Sequence, residues 1–154
     1  MSSNPRRIRE SRTPESASRL FSFPARIYWE DTDAGGVVYH ARYLHFFERA
    51  RTEWFRASGY SQHTLRKEAG VVFVVHRMDI AFNAPARLDD LLTATVMAGE
   101  RRSASFVVHQ HLLRDNESKL LVEASVRIAC VDADTFRPRP IPDHLLMLQE
   151  IAKS

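Results

Sequence analysis

The sequence predicts an α+β fold, with one long apolar helix packed against a mostly antiparallel sheet of about five strands. Three observations carry this expectation. Between Ala41 and Ser58, Tyr43, Phe47, Ala50, Trp54 and Ala57 recur at steps of four and three, which lines one face of a helix. Toward the end of the chain, Val122, Ala124, Val126, Ile128 and Cys130 alternate with Glu123, Ser125 and Arg127, the period of two of a strand with one buried face. The order of segments is strand, long helix, then four strands, with no internal repeat.

Phe21 to Trp29 mixes aromatic and β-branched residues and reads as the first strand. Pro24 suits a sheet edge, where a missing N–H costs little. Glu30 to Gly36 is acidic and rich in turn formers. In the long helix Leu44, Phe46 and Phe55 broaden the apolar stripe, so it should be buried against a sheet, and Gly59 stops it. A short helix is expected from Gln62 to Glu68. Strands follow at Val71–Phe82, Leu91–Met97, Ala104–Leu113 and Val122–Cys130. Asn83-Ala84-Pro85-Ala86 breaks the first of these, and turns are expected at Gly99–Ser103 and Arg114–Ser118. Pro138, Pro140 and Pro142 end the sheet, and Asp143 to Ile151 is expected to be a terminal helix. The domain then spans 21–142, between a leader at 1–20 and a tail at 143–154.

A chain of 154 residues, 44% of them hydrophobic, is long enough for one domain with a sizeable core. Its longest apolar runs, such as Val71 to Val75, fall far short of the roughly 20 residues that span a bilayer. No secretory signal is visible, and the lone Cys130 excludes an intrachain disulfide, which fits a reducing cytoplasm. Five arginines against two glutamates in residues 1–20 equal the whole net charge of +3, so residues 21–154 are neutral. A neutral domain argues against nucleic-acid binding. The Arg-, Ser- and Pro-rich leader reads as a disordered solvated segment, or as an arm for an anionic partner or the inner membrane face.

Reactive groups concentrate between Glu30 and His40: three carboxylates in four residues, two adjacent glycines, and a histidine where the helix opens. A calcium loop starting at Asp31 would need a carboxylate where Arg42 stands. His109 and His111 share a strand face, but nothing in the sequence joins them to His40 as metal ligands. No G-x-S-x-G motif is present, and Cys130 lies on the apolar face of its strand, as a core residue does. Neither a metal nor a cofactor is therefore expected. The remaining chemistry is a carboxylate at a helix N-terminus. Gly35 and Gly36 let backbone approach a substrate, and unpaired N–H groups around Val38 to Ala41 can hold charge on a carbonyl oxygen. Asp33 lies close enough in sequence to reach the same carbonyl, although a plain turn or capping role is equally compatible with its spacing. A thioester suits such sparse machinery, because a thiol of pKa about 8.5 leaves without a strong general acid.

The run Tyr28-Trp29-Glu30-Asp31-Thr32-Asp33-Ala34-Gly35-Gly36-Val37-Val38-Tyr39-His40, continued by Tyr43-Leu44 and Phe47 to Glu53, resembles the bacterial Tol-Pal-system-associated acyl-CoA thioesterases. These belong with 4-hydroxybenzoyl-CoA thioesterase in the hotdog superfamily. The resemblance extends from about Phe21 to Pro142 and includes Ala84 to Asp90. It implies a hotdog fold, assembly into dimers and tetramers, and active sites between subunits. It makes Asp33 the catalytic carboxylate, as nucleophile or as base on water. His40 becomes the second catalytic candidate, with its N–H polarising the carbonyl and its ring orienting water or Asp33. Gly36, Val37, Val38 and Tyr39 would contact substrate, with Tyr43 and Phe47 beside them, and Arg101 and Arg102 would hold CoA phosphates. Glu48 should pair with Arg51 or Arg49. The donor would be acyl-CoA or an acyl carrier protein. The competing reading is an acyl-binding or envelope-associated interaction protein with little turnover.

Overall fold

The structure is a computed structural model that describes residues 20–115 and 119–145. Strand β1 (Leu20–Arg26) is followed by a single 3-10 turn at Trp29–Asp31, helix α1 (Arg42–Ala57) and helix α2 (Gln62–Ala69). Strands β2 (Val71–Phe82), β3 (Leu91–Arg101), β4 (Ser105–Arg114) and β5 (Lys119–Asp132) complete the order. All pairings are antiparallel, and the sheet runs β1-β3-β4-β5-β2. Thus β1 and β2 are its two edges, and Pro24 sits on an edge strand as expected. The α+β arrangement of one long helix on a five-stranded antiparallel sheet is the one read from the sequence.

Several boundaries differ. β1 ends at Arg26, and its ladder with β3 runs out one pair later: Ile27 N–H still donates to Asp90 C=O at 2.9 Å and Asp89 N–H donates to Ile27 C=O at 3.0 Å, but Asp89 has a left-handed φ of 71°, which turns the partner segment away. β3 runs on to Arg101, through an irregularity between Ala98 and Arg101 that absorbs the expected turn at Gly99. Gly99 is there for space, since a Cβ would come within 2.8 Å of the His109 ring. The expected terminal helix and the turn after Arg114 fall largely outside the described residues, as does the leader apart from Leu20.

The buried face of α1 is Tyr43, Phe46, Phe47, Ala50, Trp54 and Phe55. Leu44 and Ala57, assigned to the stripe by spacing, are exposed instead, because they lie at the margins of the face that meets β1 and β3. Phe55 stacks on Phe73 of β2 with centroids 5.3 Å apart, and Phe106 of β4 meets Phe73 edge-on at 5.4 Å. Buried side chains of this size each stabilise the fold by roughly 1.5–3 kcal/mol. One polar group sits among them. Gln110 of β4 is fully buried and donates to Phe47 C=O at 3.1 Å and Thr95 C=O at 3.3 Å, while its Oε1 accepts from Arg51 Nη1 at 2.9 Å. Two of these bonds, to Phe47 and Arg51, lock the helix to the sheet, and the third ties β4 to β3.

Candidate active site at the opening of helix α1

Asp33 lies at the tip of a miniature hairpin. Thr32 and Val38 form one β-bridge, and Val37 forms a second with Arg87. Asp33 N–H donates to Val37 C=O at 2.9 Å, and Gly36 N–H donates to Asp33 C=O at 3.0 Å. Gly36 has φ of 81°, the left-handed conformation that glycine adopts without strain. The segment before β3 clamps the hairpin: Val38 N–H donates to Ala86 C=O, and Ala86 N–H donates to the Tyr43 hydroxyl. Burial pushes the Tyr43 phenol above its ordinary pKa. The carboxylates Asp90 and Asp33 push the same way, against the Ala86 N–H and Arg114. The phenol therefore stays protonated at neutral pH.

The two aspartates of Asp31-Thr32-Asp33 have different surroundings. Asp31 is 5% exposed. It accepts from Tyr28 N–H at 2.8 Å and from Arg42 Nε at 3.1 Å. Asp33 is exposed, and Oδ1 accepts from Gly35 N–H at 2.8 Å in a local turn. Its other oxygen has no hydrogen-bond partner among the described residues. This leaves Asp33 the carboxylate that can meet a ligand.

The expected row of open amides is shorter than the sequence suggested. Val38 N–H is spent on Ala86, and Tyr39 N–H donates to Asp31 C=O at 2.9 Å. The N–H groups of His40 and Ala41 remain without a matched acceptor among the described residues, just ahead of α1. The His40 ring is exposed and rests against Tyr39 at 4.8 Å and edge-on to Phe82 at 6.1 Å. It bonds neither Asp33 nor a helix-start group.

Gly36, Val37, Val38 and Tyr39 all belong to the hairpin carrying Asp33. Gly36 and Tyr39 are exposed, Val37 is half-buried, and Val38 is closed into the core with Tyr43 and Phe47. Arg101 and Arg102 are not brought here. They stand at the far end of β3, roughly 30 Å away along the strand. Arg101 is buried, and Arg102 pairs with Glu100 at 3.4 Å. Glu48 forms no ion pair with Arg51 or Arg49 among the described residues, although its charge acts on Arg51. Its Oε2 accepts from the Thr52 hydroxyl, one turn along the same exposed face. Arg51 turns inward to Gln110, and Arg49 lies over the Phe46 ring. His109 and His111 lie on β4 opposite Ser125 and Glu123, and among the described residues they form no metal-ligand group with His40. Cys130 is fully buried, and burial pushes its thiol up to about 11, which removes it as a nucleophile.

A cavity of about 200 Å³ lies between α1, α2 and β2, lined by Arg51, Phe55, Gln62, Phe73 and Val75 among others. Asp33 and His40 do not line it. The sequence reading missed what holds the Asp33 turn, namely Asp31 with Arg42, and Ala86 with Tyr43. The only signal for the second pair was the presence of Ala84 to Asp90 in the family resemblance.

Residues 27–148 match the model of the thioesterase-like superfamily. The chain belongs to that superfamily. Within it, an acyl-CoA thioesterase, YbgC, of Haemophilus influenzae is 48% identical over 122 residues, covering 79% of this chain and 88% of the relative. An acyl-CoA thioester hydrolase, YbgC, of Escherichia coli O6:H1 is 46% identical over 127 residues, covering 82% and 93%. The crystal structure of a probable thioesterase from Bartonella henselae is 40% identical and superposes with a TM-score of 0.74, covering 80% of this chain and 99% of that one. The hotdog fold of the superfamily is thus the fold of this chain. No helix among the described residues is long and apolar enough to cross a membrane.

Proposed function

We propose that the chain hydrolyses an acyl-CoA thioester to a free acid and CoA, with Asp33 as the reacting carboxylate. The observation that carries this is the contrast at the D-T-D turn: Asp31 is buried and ion-paired, while Asp33 is exposed with one oxygen unengaged, immediately before a helix opening. The N–H groups of His40 and Ala41 are the donors for the carbonyl oxygen as negative charge develops on it. Asp33 either attacks the carbonyl carbon, forming a mixed anhydride that water then hydrolyses to the acid and the free carboxylate, or takes a proton from the water that attacks; in both the C–S bond breaks and the thiolate departs unaided. Both relatives described above are named for acyl-CoA thioester hydrolysis, which supports this donor.

A single copy leaves the site open. β2 is a sheet edge twelve residues long, and Val75 and Phe82 on it are each 48% exposed. Antiparallel pairing of this edge with a second copy buries both and brings opposite ends of β2 together. The Phe82 end carries the His40 ring. The Val71 end carries the cavity, and the hairpin with Arg101 and Arg102 lies toward it. One copy's Asp33 is then faced by the other copy's cavity for the acyl group and by the exposed Arg102 of its hairpin for the CoA phosphates. A homodimer of this kind, pairing further into a tetramer, is the working assembly. The buried thiol and the CoA donor fit a cytoplasmic setting, and the basic leader fits contact with an anionic membrane face.

The test is a panel of acyl-CoAs, aliphatic and aromatic, with the parent protein and Asp33→Asn. Turnover of at least one donor by the parent is expected, with a loss on the order of 10²-fold or more in the variant. Parental rates in Asp33→Asn would remove Asp33 from the mechanism.

A further inference from the structure

Four arginines stand on or against the hairpin that carries Asp33 and the segment from Pro85 to Asp90 beside it, and three of them are committed. Arg42 bonds Asp31 and lies 3.4 Å from Glu30. Arg114 bonds Asp90 and Pro85 C=O. Arg26 donates to Asp89 C=O at 2.8 Å. Arg87 differs. Its backbone is pinned on two sides, by the bridge to Val37 and by the turn to Asp90. There its N–H donates to Asp90 Oδ2 at 2.9 Å and its C=O accepts from Asp90 N–H at 3.1 Å. Asp89, at φ 71°, closes that turn. The Arg87 side chain is exposed, and its guanidinium has no partner among the described residues, although Asp89 shares the same turn.

This is an uncommitted cation on a fixed backbone, one bridge away from the strand that holds Asp33. Its main chain is already ordered, so a ligand would immobilise only the side chain. A guanidinium presents a planar fork that suits phosphate oxygens better than a single carbonyl. We infer that Arg87 holds a phosphate ester of the thioester donor, fixing the pantetheine arm while its sulfur end lies at Asp33. The inference rests on the acyl-thioester reading above. The phosphate can belong to CoA or to the phosphopantetheine of a carrier protein.

The experiment compares the parent protein, Arg87→Gln and Arg87→Lys on three donors of one acyl group: acyl-CoA, acyl-pantetheine without phosphates, and acyl carrier protein. Arg87→Gln is expected to raise KM for acyl-CoA about fivefold relative to its effect on acyl-pantetheine, the scale of an exposed charge-assisted pair. Arg87→Lys should recover part of that ratio. A rise confined to the carrier protein would assign the phosphate to that donor. Equal KM changes on acyl-CoA and acyl-pantetheine, with no rise on the carrier protein, would overturn the inference, as would no change on any donor. Calorimetry with free CoA separates this outcome from failure of the hydrolase reading. If the parent turns over none of the donors, that reading fails, and weaker CoA binding by Arg87→Gln than by the parent still supports the phosphate contact. Equal binding, or none by either protein, refutes it.

Discussion

Asp31 and Asp33 stand two residues apart, and only the Asp31 side chain is bonded beyond its own turn. It accepts from Arg42 and from Tyr28 N–H while 5% exposed. Asp33 holds one local turn bond and otherwise meets solvent. A buried ion pair positions chain, because losing either member strands the other charge. An exposed carboxylate on a turn held by two β-bridges is free to react.

The two positions should therefore respond in opposite ways. Asp31→Asn is expected to cost about 1–3 kcal/mol of stability, read by urea unfolding, since it puts an NH2 where an acceptor is needed beside Arg42. Asp33→Asn keeps the oxygen that receives Gly35 N–H and should unfold at nearly the parental urea concentration. The assignment of roles fails if Asp33→Asn proves the less stable of the two.

Gln110 is the second structural test. Gln110→Leu removes the bonds to Phe47 and Thr95 and leaves the Arg51 guanidinium facing apolar side chains. Burial already pulls the pKa of that guanidinium below its usual value, against the charge of Glu48. A loss of about 2–4 kcal/mol is expected. The double change Gln110→Leu with Arg51→Met should recover part of it, because the stranded charge goes too. Additive losses in the double variant would show that the two side chains are not coupled.

Cys130 links stability to alkaline pH. Burial pushes its thiol up to about 11 in the folded chain, well above the ordinary thiol value of about 8.5. Between these values the unfolded chain releases the proton and the folded chain keeps it, so the unfolded state binds fewer protons and stability falls as pH rises. The contribution is complete below about pH 8.5 and is lost through about 11. Cys130→Ala should flatten this part of the profile, measured by thermal unfolding from pH 8 to 11. At pH 8 the folded protein should resist iodoacetamide until it is unfolded.

The edge strand can be tested directly. Val75→Lys places a charge in the middle of β2, a change that blocks edge pairing. Sedimentation should show smaller particles than the parent forms, with far-UV circular dichroism preserved and turnover reduced by about tenfold or more. An unchanged oligomer with parental turnover would move the interface away from β2.

The sequence by itself determined the α+β class, the long helix, and all five strands to within about four residues. It also located the reactive turn, because periodicity and turn chemistry are local properties of the chain. Its errors were local readings carried too far. β1 was drawn through to Trp29, yet strand pairing runs out at Ile27, opposite Asp90, where the left-handed Asp89 turns the partner away. Glu48 was matched with the nearest arginines by helical spacing, whereas Arg51 reaches Gln110, 59 positions along the chain. Only the tertiary structure decided which aspartate is buried, that Ala86 and Tyr43 clamp the hairpin, and that Arg101 and Arg102 lie a strand's length from Asp33. Each of these depends on segments far apart in sequence being packed together, where burial and competition for hydrogen-bond partners assign the roles that spacing leaves open.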